Sequence, residues 1–359
     1  MIKTGSDFSG VGAFDQALRK LGINYQTVYA CDWDKYSRQT YIENYGEPKY
    51  FPKDVYEREI PEESLDLYMT SPPCQAFSLA GKRKGEDDER GILFYNSHEF
   101  IQKNNPRYFI FENVRGLLSD ADGVTFKVWL DMLGGKSVNG NPVLFPNENS
   151  TPYHIYWQVL NAKHYGVPQN RERVFIIGIR DDADNTFRFP KTQHLTKKLK
   201  DVLEDNVDDK YFLSQKMLKH LKHHDRSQKP ITENTDTVNC ITANYANQSS
   251  DLQYLKINSA TKKGYEIATN QDSINFSVLN SKTRRGRVGK GVAQTLDTAC
   301  NQGVISTTNI RRLTPRECFR LMDFPDTFKW SVSDTQAYKQ AGNSIVVNVL
   351  AEIIKKLKL

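Results

Sequence analysis

The sequence predicts an α/β protein: a doubly wound parallel sheet, then a smaller region of irregular structure, then a closing helix. Three observations lead there. Over the first ~180 residues, short apolar runs end in polar or glycine-bearing turns and are followed by helical stretches, the alternation expected of a parallel sheet with crossover helices. From Pro190 to Ser333 the pattern changes to Lys/His-rich and Asn/Thr/Ser-rich sequence with short apolar runs. From Gly342 to Leu359 a dense helical pattern returns, with Ile345, Val346, Val349, Leu350, Ile353 and Ile354 on it, and it is expected to pack back onto the first region. The division that follows is 1–189, 190–333 and 334–359.

Taken in order, the strands expected in the first region are Ile2 to Thr4, Thr27 to Ala30, Leu65 to Met69, Tyr108 to Phe111 and Val174 to Ile179. Phe14 to Leu21 is expected as a helix, because Phe14, Ala17, Leu18 and Leu21 share one face and Gly22 is a stop signal. In open parallel sheets, ligands sit beyond the carboxyl ends of the strands, so the polar residues found there are the first functional candidates. After the first strand come Asp7-Phe8-Ser9-Gly10-Val11-Gly12, where two glycines allow close backbone approach. Asp32 follows the second strand, about twenty residues further on, where a carboxylate can accept bonds from ribose hydroxyls. Together they favour an adenosine-containing cofactor. The third glycine of a dinucleotide fingerprint is missing, which disfavours a pyrophosphate and favours a methyl donor.

The third strand end carries Ser71-Pro72-Pro73-Cys74-Gln75, a stiff polar loop that is a poor place for a core thiol. The segment from Gly81 to Gly91, with Lys82, Arg83 and Lys84, reads as a lid hinged on glycines. Glu112 ends the fourth strand on the same edge as Cys74, and an acid/base role is the reading preferred over a helix cap.

Composition sets the outer limits. The chain has 359 residues, of which 38% are hydrophobic, enough for a substantial core. No run approaches the roughly eighteen apolar residues of a membrane span, and the N-terminus lacks the apolar stretch of a signal peptide, so a cytoplasmic address is expected. The five cysteines are scattered with no CxxC pair, so reduced thiols and no metal are expected. A net charge of +6 says only that polyanions are not repelled.

The blocks PPCQAFSLAGKRKG, FENV, QNRERVFIIG and QAGNSIVVNVL, in that order, resemble the ordered motifs of the DNA cytosine-C5 methyltransferase family. The resemblance implies a Rossmann-like S-adenosylmethionine-dependent methyltransferase domain with a smaller irregular, mainly β target-recognition domain. It implies S-adenosylmethionine as cofactor and duplex DNA as partner, with any cognate restriction endonuclease acting separately and the enzyme itself a monomer. Phe8 and Trp33 would pack on the adenine, Asp32 would hold the ribose and Asp54 would meet the adenine amino group. Gly10, Gly12, Pro72 and Asn343 complete the implied cofactor site. Cys74 would be the nucleophile, Glu112 its acidic partner, and Arg171 and Arg173 polar contacts to the base and to Glu112. Between Asp181 and Asn309 little resembles the family beyond Thr295-Leu296.

Cytosine C5 is a poor nucleophile, and a thiolate adding at C6 makes the 5,6 bond electron-rich enough to accept a methyl group. A proton shared between Glu112 and N3, with an arginine near O2, would stabilise the charge that develops. The base must leave the helical stack to be reached, and Lys82, Arg83 and Lys84 are expected to meet phosphates as it does. Within Phe276 to Leu296 there is no acidic residue, while Arg284, Arg285 and Arg287 lie among Lys282, Lys290 and three glycines. These arginines are expected to read guanine edges, and the lysines to meet phosphates. The competing readings are a tRNA cytosine methyltransferase of similar fold, a catalytically idle binding scaffold, and a dinucleotide-dependent dehydrogenase, which has no use for the cysteine loop.

Overall fold

The computed structural model describes residues 1–73, 93–183, 186–214, 255–278, 281–306 and 309–359. Its first half alternates strand and helix: β1 (Ile2–Asp7), α1 (Ala13–Lys20), β2 (Tyr25–Cys31), α2 (Lys35–Tyr45), β3 (Leu67–Thr70), α3 (Leu93–Asn104), β4 (Tyr108–Val114) and α4 (Val124–Leu133). Then come β5 (Ser137–Val138), β6 (Asn141–Pro142), β7 (Tyr153–Asn161), β8 (Gln169–Asn170) and β9 (Glu172–Arg180). Eight of these strands form one sheet in the order β2-β1-β3-β4-β9-β7-β5-β6.

All five expected strands are present, each within a few residues of its sequence bounds. One expectation fails. The run around Val174 to Ile179 is not parallel to its neighbours: β9 lies antiparallel to both β4 and β7. The link from β7 to β9 is only residues 162–171, a short 3-10 turn plus the two-residue β8, and a parallel pairing needs a longer crossover. The sheet is therefore mixed. As a result the first residues of β9 arrive at the edge where β1 to β4 end.

Two apolar clusters sandwich the sheet. One contains Tyr29, Tyr68, Phe94, Phe100, Phe109, Phe111 and Trp129, with Phe94 and Trp129 stacked at 4.3 Å and Tyr68 and Phe100 at 4.2 Å. The other joins α1 to the closing helix. The C-terminal segment does return to the first region, but as two helices: α6 (Asp334–Asn343) ends where the expected helix begins, and α7 (Val347–Ile354) packs on α1.

Residues 255–312 supply short strands: β10 (Leu255–Asn258), β11 (Tyr265–Ala268), β12 (Ser273–Asn275), β13 (Val288–Gly289), β14 (Ala293–Gln294), β15 (Gln302–Ser306) and β16 (Asn309–Arg312), antiparallel to one another except β14, which runs parallel to β8. Ile257, Ala268, Ile274, Phe276, Ile305 and Ile310 make a small core of their own. Leu199, Val202, Leu296 and the helix α5 (Pro315–Leu321) pack instead into the core shared with α1 and α7. Packing thus crosses the sequence divisions at 189 and 333.

The turn before α5 is fixed by a buried ion pair. Glu317 accepts from Arg311 at 2.6 and 2.8 Å, from Thr314 N at 2.8 Å and from Glu204 N at 2.8 Å, and its side chain is fully inaccessible. Removing one member of such a pair leaves an uncompensated buried charge. Arg311→Met is therefore expected to cost about 3–5 kcal/mol in a chemical denaturation experiment, far more than an exposed arginine would.

Candidate active site

At the carboxyl edge, the turn after β1 uses backbone conformations that L side chains rarely adopt. Phe8, Gly10 and Gly12 have φ of 53°, 54° and 80°. A Cβ on Gly12 would stand 2.3 Å from the Tyr45 ring, so packing against α2 as well as the turn excludes a side chain there. Beside Gly10 there is open space. Asp32 holds this turn directly, accepting from Gly10 N at 2.8 Å and from Asp34 N at 2.9 Å. Each of its oxygens thus makes one backbone bond and keeps acceptor capacity for another. Burial pushes the Asp32 carboxyl up to about 6, against the two backbone bonds that favour its charged form.

Trp33 is 83% exposed, an unusual placing for an indole and the face a planar ligand would cover. Asp54 is exposed and accepts from Tyr56 N at 2.9 Å in a local turn. Asn343 is exposed at the end of α6. Pro72 is buried, and its carbonyl accepts from Asn113 Nδ2 at 3.5 Å, which sets the chain beside the end of β4. Cys74, Lys82, Arg83 and Lys84 lie outside the described residues.

Glu112 is buried at this edge and accepts from Arg173 Nε at 3.1 Å. The register explains the contact: Glu112 pairs with Phe175 across β4 and β9, and Arg173 lies two residues along the same face. Burial raises the Glu112 carboxyl above its ordinary range, while the charges of Arg173 and Arg171 oppose the rise. Burial thus favours the protonated form of this carboxyl.

Arg171 differs from its expected role. Its guanidinium donates to three main-chain carbonyls, those of Leu296 at 3.2 Å, Gly342 at 3.1 Å and Ser344 at 2.9 Å, and the residue is 4% exposed. It influences Glu112 through its charge, and Arg173 makes the hydrogen bond. Around it, Gln169 donates to Leu321 O and accepts from Leu296 N, Thr295 donates to Asn170 O, and β14 pairs with β8. A Cβ on Gly342 would come 2.6 Å from the Asp297 carbonyl, so the junction closes only on glycine.

The basic loop also differs. Arg287 does not face outward: it is 1% exposed, and its guanidinium donates to the carbonyls of Asn275, Ser277 and Val278 at 2.7 to 3.0 Å. A tight loop turns its carbonyls inward, and a planar cation satisfies several at once. The acids that the loop sequence lacks come from elsewhere. Glu266 accepts from the backbone of Gly286, Arg287 and Val288, and Asp272 pairs with Lys290 at 2.6 Å. Lys282 and Arg285 remain exposed and Arg284 is half-buried. Gln294 donates to Gly286 O and its backbone pairs with Asn170, which ties this loop to the strand start that carries Arg171 and Arg173.

Sequence reading assigned no role to Asp7, which lies fully buried beneath the glycine turn with Tyr29, Tyr68 and Arg58 on its carboxylate. A carboxylate at the end of an apolar strand was the available signal. Among the described residues, no cluster of His, Cys, Asp and Glu could hold a metal ion, and no helix is long and apolar enough to cross a membrane. Cys31, Cys300 and Cys318 are free buried thiols.

The model of the family described as C-5 cytosine-specific DNA methylase matches residues 2–359. The chain is 31% identical to the Type II methyltransferase M.HpaII of Haemophilus parainfluenzae over 98% of its length and 87% of the relative's. It is 31% identical to the Type II methyltransferase M.HhaI of Haemophilus parahaemolyticus, covering 96% and 91% of the two chains. The orphan methyltransferase M.SPRI of Bacillus phage SPR is 30% identical, with 99% and 97% covered. Among solved structures, Spodoptera frugiperda DNMT2 shares the fold at a TM-score of 0.61 with 20% identity, covering 99% of each chain.

The two arginine environments predict different responses. Arg287→Ala is expected to cost about 2–4 kcal/mol in thermal or chemical unfolding, because three inward carbonyls lose their donor, whereas Arg285→Ala should stay within about 0.5 kcal/mol.

Proposed function

The chain belongs to the C-5 cytosine-specific DNA methylase family, and from that premise we propose that it methylates C5 of cytosine at a specific duplex DNA sequence, using S-adenosylmethionine and a covalent adduct of Cys74. That it is a DNA cytosine-5 methyltransferase follows from the family and its Type II relatives. The covalent route, the donor site and the reading of sequence are the finer parts of the proposal.

The observation that carries the chemistry is the buried Glu112–Arg173 pair beside the Pro72 end of the Pro-Pro-Cys loop. In this reading the Cys74 thiolate adds at C6 of a base rotated out of the duplex. Glu112, whose protonated form burial favours, supplies a proton to N3, and Arg173 orients it. Once C5 carries the methyl group, a base takes the C5 proton, the 5,6 bond re-forms, the thiolate leaves and the N3 proton returns to Glu112. Arg171 acts through the junction it holds.

The donor residues fit the group. Gly10 leaves open space, Asp32 keeps free acceptor capacity, and Trp33 offers an uncovered indole. Phe8 and Trp33 would flank the adenine, Asp54 would accept from its amino group, and Gly12, Pro72 and Asn343 would bound the site. S-adenosylmethionine, when bound, supplies the electrophilic methyl group that C5 takes up. Lys282, Arg284 and Arg285 are the candidates for DNA contacts from the small region, with Lys82, Arg83 and Lys84 as phosphate contacts. The names of the curated relatives favour DNA over tRNA as substrate, because those proteins are Type II methyltransferases.

DNA carrying 5-fluorocytosine at the methylated site should give a covalent complex with the wild-type enzyme and methyl donor, since fluorine at C5 blocks the final elimination. Cys74→Ser should bind DNA, form no complex and transfer no tritiated methyl group. Turnover by the serine variant would refute the covalent route. Glu112→Gln should slow single-turnover methyl transfer by about 10²–10⁴-fold with little change in donor affinity.

Donor binding should depend on pH through Asp32. The ribose hydroxyls need the carboxylate as acceptor, and the carboxyl titrates at about 6 in the free protein. The dissociation constant for S-adenosylhomocysteine, measured by calorimetry, should hold steady above about pH 7 and rise as pH falls through 6. Asp32→Asn should bind more weakly and show no such rise.

A further inference from the structure

Beneath the glycine turn lies an ion pair that no water reaches. Asp7 closes β1, and its side chain and that of Arg58 are 0% and 2% exposed, 3.1 Å apart. Both Asp7 oxygens are further engaged, by the hydroxyls of Tyr29 and Tyr68 at 2.6 Å each. The Arg58 guanidinium also donates to Val55 O at 2.9 Å and to Asn96 O at 2.7 Å. One cation therefore joins the end of β1, the segment after Asp54 and the first turn of α3.

A buried ion pair is weak evidence for stability, because desolvating both charges offsets most of their attraction. What such a pair does fix is geometry, since the planar guanidinium accepts only a narrow range of partner positions. The residues adjoining its anchor points are the informative ones. Phe8 follows Asp7, and Asp54 precedes Val55. We propose that the Arg58–Asp7 pair is a positioning device for the methyl-donor site. It sets the separation between the Phe8–Gly12 turn and the Asp54–Val55 segment, while neither charged group is accessible enough to touch the donor. The inference rests on the reading of that edge as the donor site.

Calorimetry with S-adenosylhomocysteine tests both layers. Asp7→Asn keeps the shape but loses the charge and one of the two acceptor oxygens, and Arg58→Met removes the fork. Each should weaken binding by about tenfold or more, because the two halves of the site are no longer held in register. The double variant Asp7→Leu/Arg58→Met leaves no uncompensated charge and should stay folded, with a melting temperature lowered by the tyrosine hydroxyls and carbonyls that lose partners, while still binding the ligand weakly. In all three, affinity for duplex DNA without donor should stay within about twofold of wild type, since the pair is remote from the basic loop. Wild-type affinity for S-adenosylhomocysteine in Asp7→Asn, or in a folded double variant, overturns the proposal. So does a loss of ligand affinity that only follows a loss of DNA affinity and thermal stability, which is what general unfolding would give. Asp32→Ala separates the layers. If it weakens the ligand and the pair variants do not, the donor reading stands and the positioning role falls. If wild type itself binds no S-adenosylhomocysteine, both fall.

Discussion

Three main-chain carbonyls, from Leu296, Gly342 and Ser344, converge on one buried guanidinium, and the reactive edge depends on that convergence. Arg171 stands where the sheet, the small antiparallel region and the C-terminal helices meet. Its delocalised charge is spread over carbonyl dipoles instead of a single carboxylate, so the junction carries a cation without a buried acid of its own. Alternation along the strand then places Arg173 inward, toward Glu112, while Glu172 between them points out and pairs with Arg115 at 2.7 Å. The buried Glu112 carboxyl is thus oriented by the same stretch of backbone that fastens the small antiparallel region.

Around this edge the chain accumulates acids that burial discourages from ionising. Asp7, Asp15, Asp32 and Glu112 are all pushed upward, each by desolvation first. Each is met by a different set of partners: Arg58 and two tyrosines, Thr27 and Tyr41, two backbone amides, and Arg173. The differences divide labour. Asp7 and Asp15 are saturated by side chains and serve architecture, whereas Asp32 and Glu112 keep acceptor or proton capacity at the surface of the crevice.

Much of this was legible in the sequence, and the exceptions share a cause. The strands β2 and β4 announce themselves because each apolar run stops at a polar residue on the crevice edge, Asp32 after the one and Glu112 in the other. The direction of β9 does not, since Val174 to Ile179 reads the same whichever way the strand runs. Arg171 and Arg173 have the spacing of one strand face, but which of them reaches Glu112 is settled by the pairing of Glu112 with Phe175, a contact over more than sixty positions of chain. Arg287 lies in a glycine-rich basic stretch that reads as a groove-facing loop. It is buried because carbonyls from residues 275 to 278 and the carboxylate of Glu266 come to it from other parts of the chain. The Asp7–Arg58 pair has no local signature at all, since its members are joined only by the fold.

The seam between β8 and β14 is made of backbone hydrogen bonds, with Ala293 and Gln294 lying beside Gln169 and Asn170. Backbone groups are the same in every residue, so this seam places few demands on which side chains border it. The demands the junction does make fall on Gly342, Arg171, Gln169 and Thr295, all outside residues 255–290. The stretch from 255 to 290 can therefore drift in sequence without loosening its attachment. A lineage carrying this fold is free to explore new recognition surfaces by replacing the cargo while the coupling that mounts it stays unchanged.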